Sequence, residues 1–231
     1  MTYTLHIANK NYSSWSLRPW VLMKVVGIPF EEQLHRFVPN VGGKSFTSFS
    51  PTGKVPLLID GDTAVWDSLA IVEYLAERHD TVWPKDAKAR AWARSAAAEM
   101  HSGFSHLRNV CNMNVGIRVK LNEVTDGLKG DLARLEALWH DGFTRFGGPY
   151  LAGDAFTAVD AFFCPVAYRL QTYDAPVGDE ARAYTRRLLA LPAMEEWTAA
   201  ALAEDFRDHP HDEESRTVGT ITQDLRAPEK V

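Results

Sequence analysis

The chain has 231 residues, 45% of them hydrophobic, enough to bury a full core in one or two domains. A net charge of −5 and an isoelectric point near 5.9 argue against a nucleic-acid surface, and no apolar run approaches the roughly 20 residues of a membrane span. The start, Met1-Thr-Tyr-Thr-Leu-His6, lacks the basic and apolar regions of a secretory leader, and Cys111 and Cys164 offer neither a disulfide framework nor a metal-ligand spacing, so a reducing cytoplasm is the expected compartment.

Thr2 to Ala8 alternates and is rich in β-formers, which predicts a first strand. A polar loop, Asn9 to Ser14, leads into an apolar helix ending near Gly27. Pro19 suits only the first turn of a helix, so the helix should begin near Ser16 or Leu17 with Ser16 as its N-cap. Ser13 and Ser14 then lie just before it, where hydroxyls and N–H groups can surround an anion. Pro29 and Glu31 to Phe37 suggest a second strand, parallel to the first through a right-handed crossover. The polar loop from Pro39 to Pro51, with Gly42-Gly43, is long enough to be functional.

Gly53-Lys54-Val55-Pro56-Leu57 opens the most informative stretch. Proline cannot donate to a strand ladder, so Pro56 belongs at a strand start, and X-Pro is where a cis peptide is cheap. Asp60-Gly61-Asp62 is a hairpin signal, and Asp67-Ser68 caps the periodic run Leu69, Val72, Leu75, Ala76. Val55 could turn its N–H and C=O outward to pair with an extended peptide, while the helix start offers N–H groups to a carboxylate. Together they suit a short peptide with a negative end; a turn and a capped helix that serve the fold alone are the competing reading.

Residues 1–80 thus read as mixed α/β, and Asp80 to Lys88 as a linker. Beyond it the periodicity is helical, over about Ala87–Leu121, Val124–Phe146, Val159–Tyr173, Glu180–Ala190 and Ala193–Glu204, so 88–204 reads as an all-α second domain. Thr157 with Asp160 three residues on resembles a capping box, and Pro165 should bend the helix that follows. Residues 205–231 are polar and charged and read as a mobile or surface-lying tail. Within it His209, His211 and Glu214 are metal-binding types, but solvation is the expected fate, and no metal site is assigned.

Ser50-Pro51-Thr-Gly-Lys-Val55-Pro56-Leu57, Asp67-Ser68 and Gly153-Asp-Ala-Phe-Thr157-Ala-Val-Asp160, in that order, resemble the cytosolic glutathione transferases over nearly the whole chain. The resemblance implies a thioredoxin-like N-terminal α/β domain, an all-helical C-terminal domain, glutathione as cosubstrate and a homodimer. It implies that Val55, beside Pro56, pairs with the cysteinyl backbone, and that Asp67 and Ser68 hold the γ-glutamyl end. Lys44 or Lys54 would meet the glycyl carboxylate. Tyr12-Ser13-Ser14-Trp15-Ser16-Leu17-Arg18 is most similar to the serine-type, zeta-class stretch, which makes Ser13 the activating hydroxyl and Ser14 its neighbour. Trp15 stands where that class carries cysteine, and no CxxC is present.

A free thiol with a pKa near 8.5 is only a few per cent thiolate at neutral pH. Lowering that by about two units takes roughly 2.7 kcal/mol, within reach of a hydroxyl donor plus a helix N-terminus. His101, Ser105, Arg108 and Asn112 fall on one stripe of the long predicted helix, facing the electrophile cleft, solvent or a dimer partner. Trp15 could line an apolar pocket there, with Trp20 nearby. The implied activity is conjugation of the thiolate to a small apolar electrophile. The alternatives are a glutathione-dependent isomerase of the maleylacetoacetate type and a non-catalytic ligand- or protein-binding member of the same fold.

Overall fold

The computed structural model describes residues 2–37 and 46–229. Lys44 and the Gly42-Gly43 pair lie outside the described residues. β1 (Tyr3–Ala8), α1 (Ser14–Val26), β2 (Phe30–His35), β3 (Leu57–Asp60), β4 (Thr63–Val65) and α2 (Ser68–Ala76) form the N-terminal unit. Its sheet order is β2-β1-β3-β4, with β2 parallel and β3 antiparallel to β1. This is the thioredoxin-like arrangement, and Leu5, Ile7, Leu58, Ile71 and Val72 form its fully buried seam. The Val55–Pro56 peptide is cis, as is Trp66–Asp67.

The helix start differs from the expectation. α1 begins at Ser14, with Ser13 in the N-cap position, so Ser16 is the third helical residue and not the cap. Pro19 therefore sits inside the helix. The Leu17 N–H reaches the Ser13 carbonyl at 3.2 Å, and Leu17, Trp20, Val21 and Leu22 are wholly buried. Burial of that face outweighs the one backbone bond that proline forfeits.

The second unit is helical: α3 (Ala87–Ser102), α4 (Ser105–Val110), α5 (Asp126–Phe146), α6 (Ala158–Tyr173), α7 (Asp179–Leu189) and α8 (Pro192–Ala203). α6 is apolar on nearly every side and packs against α1, α3 and α7, as an all-round hydrophobic helix must. Asp160 binds its start by accepting the Thr157 N–H at 2.9 Å.

Two expectations fail here. The long helix expected over Ala87–Leu121 breaks at Gly103 and Phe104. Gly103 is extended, and a Cβ there would lie 2.8 Å from the Glu99 carbonyl oxygen; Phe104 is left-handed at φ 55°. The chain then re-forms as α4 and as strand β5 (Ile117–Leu121). β5's partner lies in the expected tail, which is instead α9 (His209–Val218) followed by β6 (Gly219–Asp224), antiparallel to β5. Asp212, Ser215 and Arg226 in that segment are buried, because they replace water with one another and with the body of the protein.

Candidate active site

The loop after β1 delivers Tyr12 and Ser13, and the start of α1 delivers Ser14 and Trp15, to one wall of a cavity of about 500 Å³. α4 and the segment after it add Arg108, Asn112 and Met113, and α9 adds His211 and Glu214. A second cavity of about 520 Å³ is lined by Thr52, Lys54, Val55, Pro56, Trp66 and Asp67. Trp15, Lys54 and Val55 border both, so the two form one continuous cleft.

Hydrogen bonding divides the cleft into groups already engaged and groups left free. The Val55 N–H and C=O have no partner among the described residues. At the start of α1, the Trp15 and Ser16 N–H groups likewise have no backbone partner, which leaves the positive end of that helix facing the cavity's serines. Ser13 Oγ donates to Ser16 Oγ at 2.7 Å, and Ser16 Oγ also accepts the Ala8 N–H at 3.3 Å. Ser14 Oγ makes no side-chain hydrogen bond among the described residues. Ser13 is thus a hydroxyl held in place from behind, and Ser14 one that is not.

In the second cavity Asp67 caps α2, accepting the Leu69 N–H at 2.9 Å, and stands 3.3 Å from His101 Nε2. Burial, opposed by Asp67, lowers the His101 pKa. Ser68, fully buried at the first position of α2, accepts from Arg18 Nη1 at 3.4 Å. Lys54 is exposed with no ion-pair partner among the described residues.

Of the expected substrate-pocket residues, Trp15 and Arg108 line the first cavity and His101 packs edge-on to Trp15 at 5.1 Å. Ser105 is exposed and lines neither cavity, because the break at Gly103 takes it off the stripe. Trp20 is buried core, its Nε1 donating to Glu32 at 2.6 Å. His211 and Glu214, assigned to solvent by the sequence reading, line the first cavity instead. Among the described residues, no three His, Cys, Asp or Glu side chains are placed to hold a metal ion. Arg169 was missed. Its signal was a lone cation in the predominantly apolar α6.

Residues 12–78 match the family model of the glutathione S-transferase N-terminal domain, and residues 118–200 match that of the C-terminal domain. The chain belongs to the glutathione S-transferase family. It is 28% identical to Glutathione S-transferase 1 of Dianthus caryophyllus over 172 residues, 71% of this chain and 76% of that one. It is 26% identical to a probable maleylacetoacetate isomerase of Caenorhabditis elegans over 171 residues, 70% and 77% of the two chains. Its fold is similar, at a TM-score of 0.63 and 21% identity, to a Burkholderia glutathione transferase homologue crystallised with bound glutathione, covering 87% of this chain and 98% of that one. α9 and β6 of this transferase-family chain lie past the residues matched by the family models.

Proposed function

We propose that this protein binds glutathione along the cleft and transfers its thiolate to a small electrophile. The observation that carries the reading is the unpaired backbone of Val55 on the cleft wall, bordering the same cavity as Ser13. A half-buried backbone pair left open invites a ligand to complete it, and an extended peptide does so as an added strand would.

In this reading Val55, beside Pro56, pairs with the cysteinyl residue. Asp67 and Ser68, at the start of α2, hold the γ-glutamyl end, and Lys54 or Lys44 meets the glycyl carboxylate. Ser13 donates to the sulfur, Ser14 stands beside it, and the free N–H groups of α1 add their dipole. The sulfur attacks an electrophile whose apolar part lies against Trp15, Phe37 and Met113. The protein works in the cytosol as a homodimer.

Isothermal titration with glutathione tests the reading: saturable binding at up to millimolar ligand is the expected result, and no binding overturns it. Turnover of a double-bond isomer in place of conjugation, in a substrate panel, would move the assignment to the isomerase alternative. Glutathione binding with no turnover across that panel would move it to a non-catalytic binding role.

A further inference from the structure

Arg108 and Arg169 line the Ser13 cavity and Arg18 lies behind its Trp15 wall, none of the three in an ion pair with a carboxylate among the described residues. Arg18 on α1 is 2% exposed and Arg169 on α6 is 6% exposed, while Arg108 on α4 is half-buried. Arg18 and Arg108 lie 4.1 and 4.5 Å from the centre of the Trp15 ring. Arg108 and Arg169 line the cavity itself. None of the three comes within 4.0 Å of an Asp or Glu oxygen among the described residues, and residues 38–45 contain neither acid.

Their hydrogen bonds are few and neutral. Arg18 Nη1 reaches Ser68, Arg108 Nη1 reaches the His101 carbonyl at 3.1 Å, and Arg169 Nη1 reaches the carbonyls of Arg108 and Cys111. The buried Nε groups of Arg18 and Arg169 have no partner. Burial first, then mutual repulsion, holds Arg18 well below the ordinary arginine range and pushes Arg169 down to about 10, with Asp67 opposing the shift of Arg18 and Glu214 that of Arg169. Glu214 is the only carboxylate on the described cavity wall, and it is engaged by Asn112 Nδ2 at 3.1 Å.

Elsewhere the chain neutralises a buried arginine. Arg226 is paired with Asp212 at 2.8 Å and with Asp224 at 2.7 Å. Burying a cation without an ion-pair partner is strongly unfavourable, so a cluster of them bordering a cavity favours an anion there.

We propose that the second substrate carries a carboxylate and that Arg108 and Arg169 receive it, making the electrophile amphipathic. Asn112 lies between them in the sequence and lines the same wall. Arg18, buried behind Trp15, adds positive potential without touching the ligand. This inference rests on the glutathione-transfer reading, because the carboxylate is carried by the group that the sulfur attacks.

Two conjugates of equal size make the test: S-(2-carboxyethyl)glutathione and its neutral amide, S-(2-carbamoylethyl)glutathione, titrated calorimetrically beside glutathione itself. The carboxylate should bind about tenfold more tightly than the amide, as expected for a desolvated charge-assisted contact. Arg108→Gln and Arg169→Gln should each erase most of that preference. If neither conjugate nor glutathione binds, the transfer reading falls. If glutathione binds and the two conjugates bind equally, the anion wall alone is overturned. Arg169 is deep in α6, and should its variant fail to fold, the half-buried Arg108 decides. A carboxylate preference undiminished in Arg108→Gln overturns the assignment.

Discussion

A hydroxyl proton serves one acceptor at a time, and at the start of α1 this underlies the roles proposed for the serines. Ser13 points its proton at Ser16, but an arriving thiolate is a better acceptor, and the hydroxyl can rotate to it. Ser16 can then donate its own proton to Ser13 Oγ, which strengthens the donor cooperatively. Ser13→Ala should move the ultraviolet thiolate transition of bound glutathione to higher pH and lower turnover about tenfold or more, each pKa unit being about 1.4 kcal/mol. Ser14→Ala should shift it less, lacking such backing. Ser16→Ala should also raise the transition, and should destabilise the fold by about 1–3 kcal/mol by leaving the Ala8 N–H without its acceptor. An unchanged transition in Ser13→Ala would remove Ser13 from the mechanism. A second residue-scale effect belongs to Asp160. Burial pushes its carboxyl from 3.8 up to about 6, although Leu151, Tyr184 and Thr157 donate to it. The native state therefore holds this proton more tightly than the unfolded chain. Its stabilising contribution is full below about pH 4 and is lost as pH rises through about 6, by about 3 kcal/mol. Urea titrations at pH 4.5 and pH 7 should show that slope flattened in Asp160→Asn; an identical slope in both proteins would refute the assignment.

At the scale of elements, the C-terminal segment forms a strap: α9 lines the first cavity and β6 pairs with β5. Arg226 Nη1 donates to both Asp212 oxygens and to the Tyr12 hydroxyl at 2.8 Å, and Asn114 Nδ2 also donates to Asp212. Tyr12 belongs to the loop that carries Ser13, so this pair ties the strap to the serine proposed to activate the thiol. The two side chains are 2% and 3% exposed. Arg226→Met should cost about 3–5 kcal/mol because it strands the Asp212 charge, and Asp212→Asn in the same chain should restore part of that loss. Chemical denaturation of the two single variants and the double variant measures the coupling. Additive losses would mean that the pair is not the latch.

Across the whole molecule, the two units share one continuous apolar core that runs from Leu5 and Leu58 through α6 to Trp197. Polar bonds reinforce the junction: Glu204 accepts the Lys10 and Asn11 N–H groups, and Trp197 Nε1 donates to the Lys10 carbonyl at 2.8 Å. One core predicts one cooperative thermal transition. Glutathione at a hundred times its dissociation constant should stabilise that single transition by about 2.7 kcal/mol. Scanning calorimetry checks both, and two separated transitions would contradict the shared core.

Local chemistry in the sequence determined the parts that depend on neighbours along the chain. Pro56 at a strand start, Asp60-Gly61-Asp62 as a hairpin, Asp67 as a cap and Asp160 as the acid of a helix start are all read from short-range sterics and hydrogen bonds. The same holds for the strands and helices up to α2, for α5, α7 and α8, whose periods match one buried face, and for α6, whose run is apolar on nearly every side. Tertiary structure decided where burial outweighs local preference. Pro19 is carried inside α1 because the apolar face around it is buried. Ile117-Arg-Val-Lys-Leu121 alternates like a strand but follows helical sequence, and it becomes β5 only because Gly219–Asp224 arrives from the far end of the chain to pair with it. The polar tail folds for the same reason: Asp212 and Arg226 are expensive to bury singly and stable only together. Arg169 joins the cavity because α6 carries it there, a placement that no spacing along the sequence encodes.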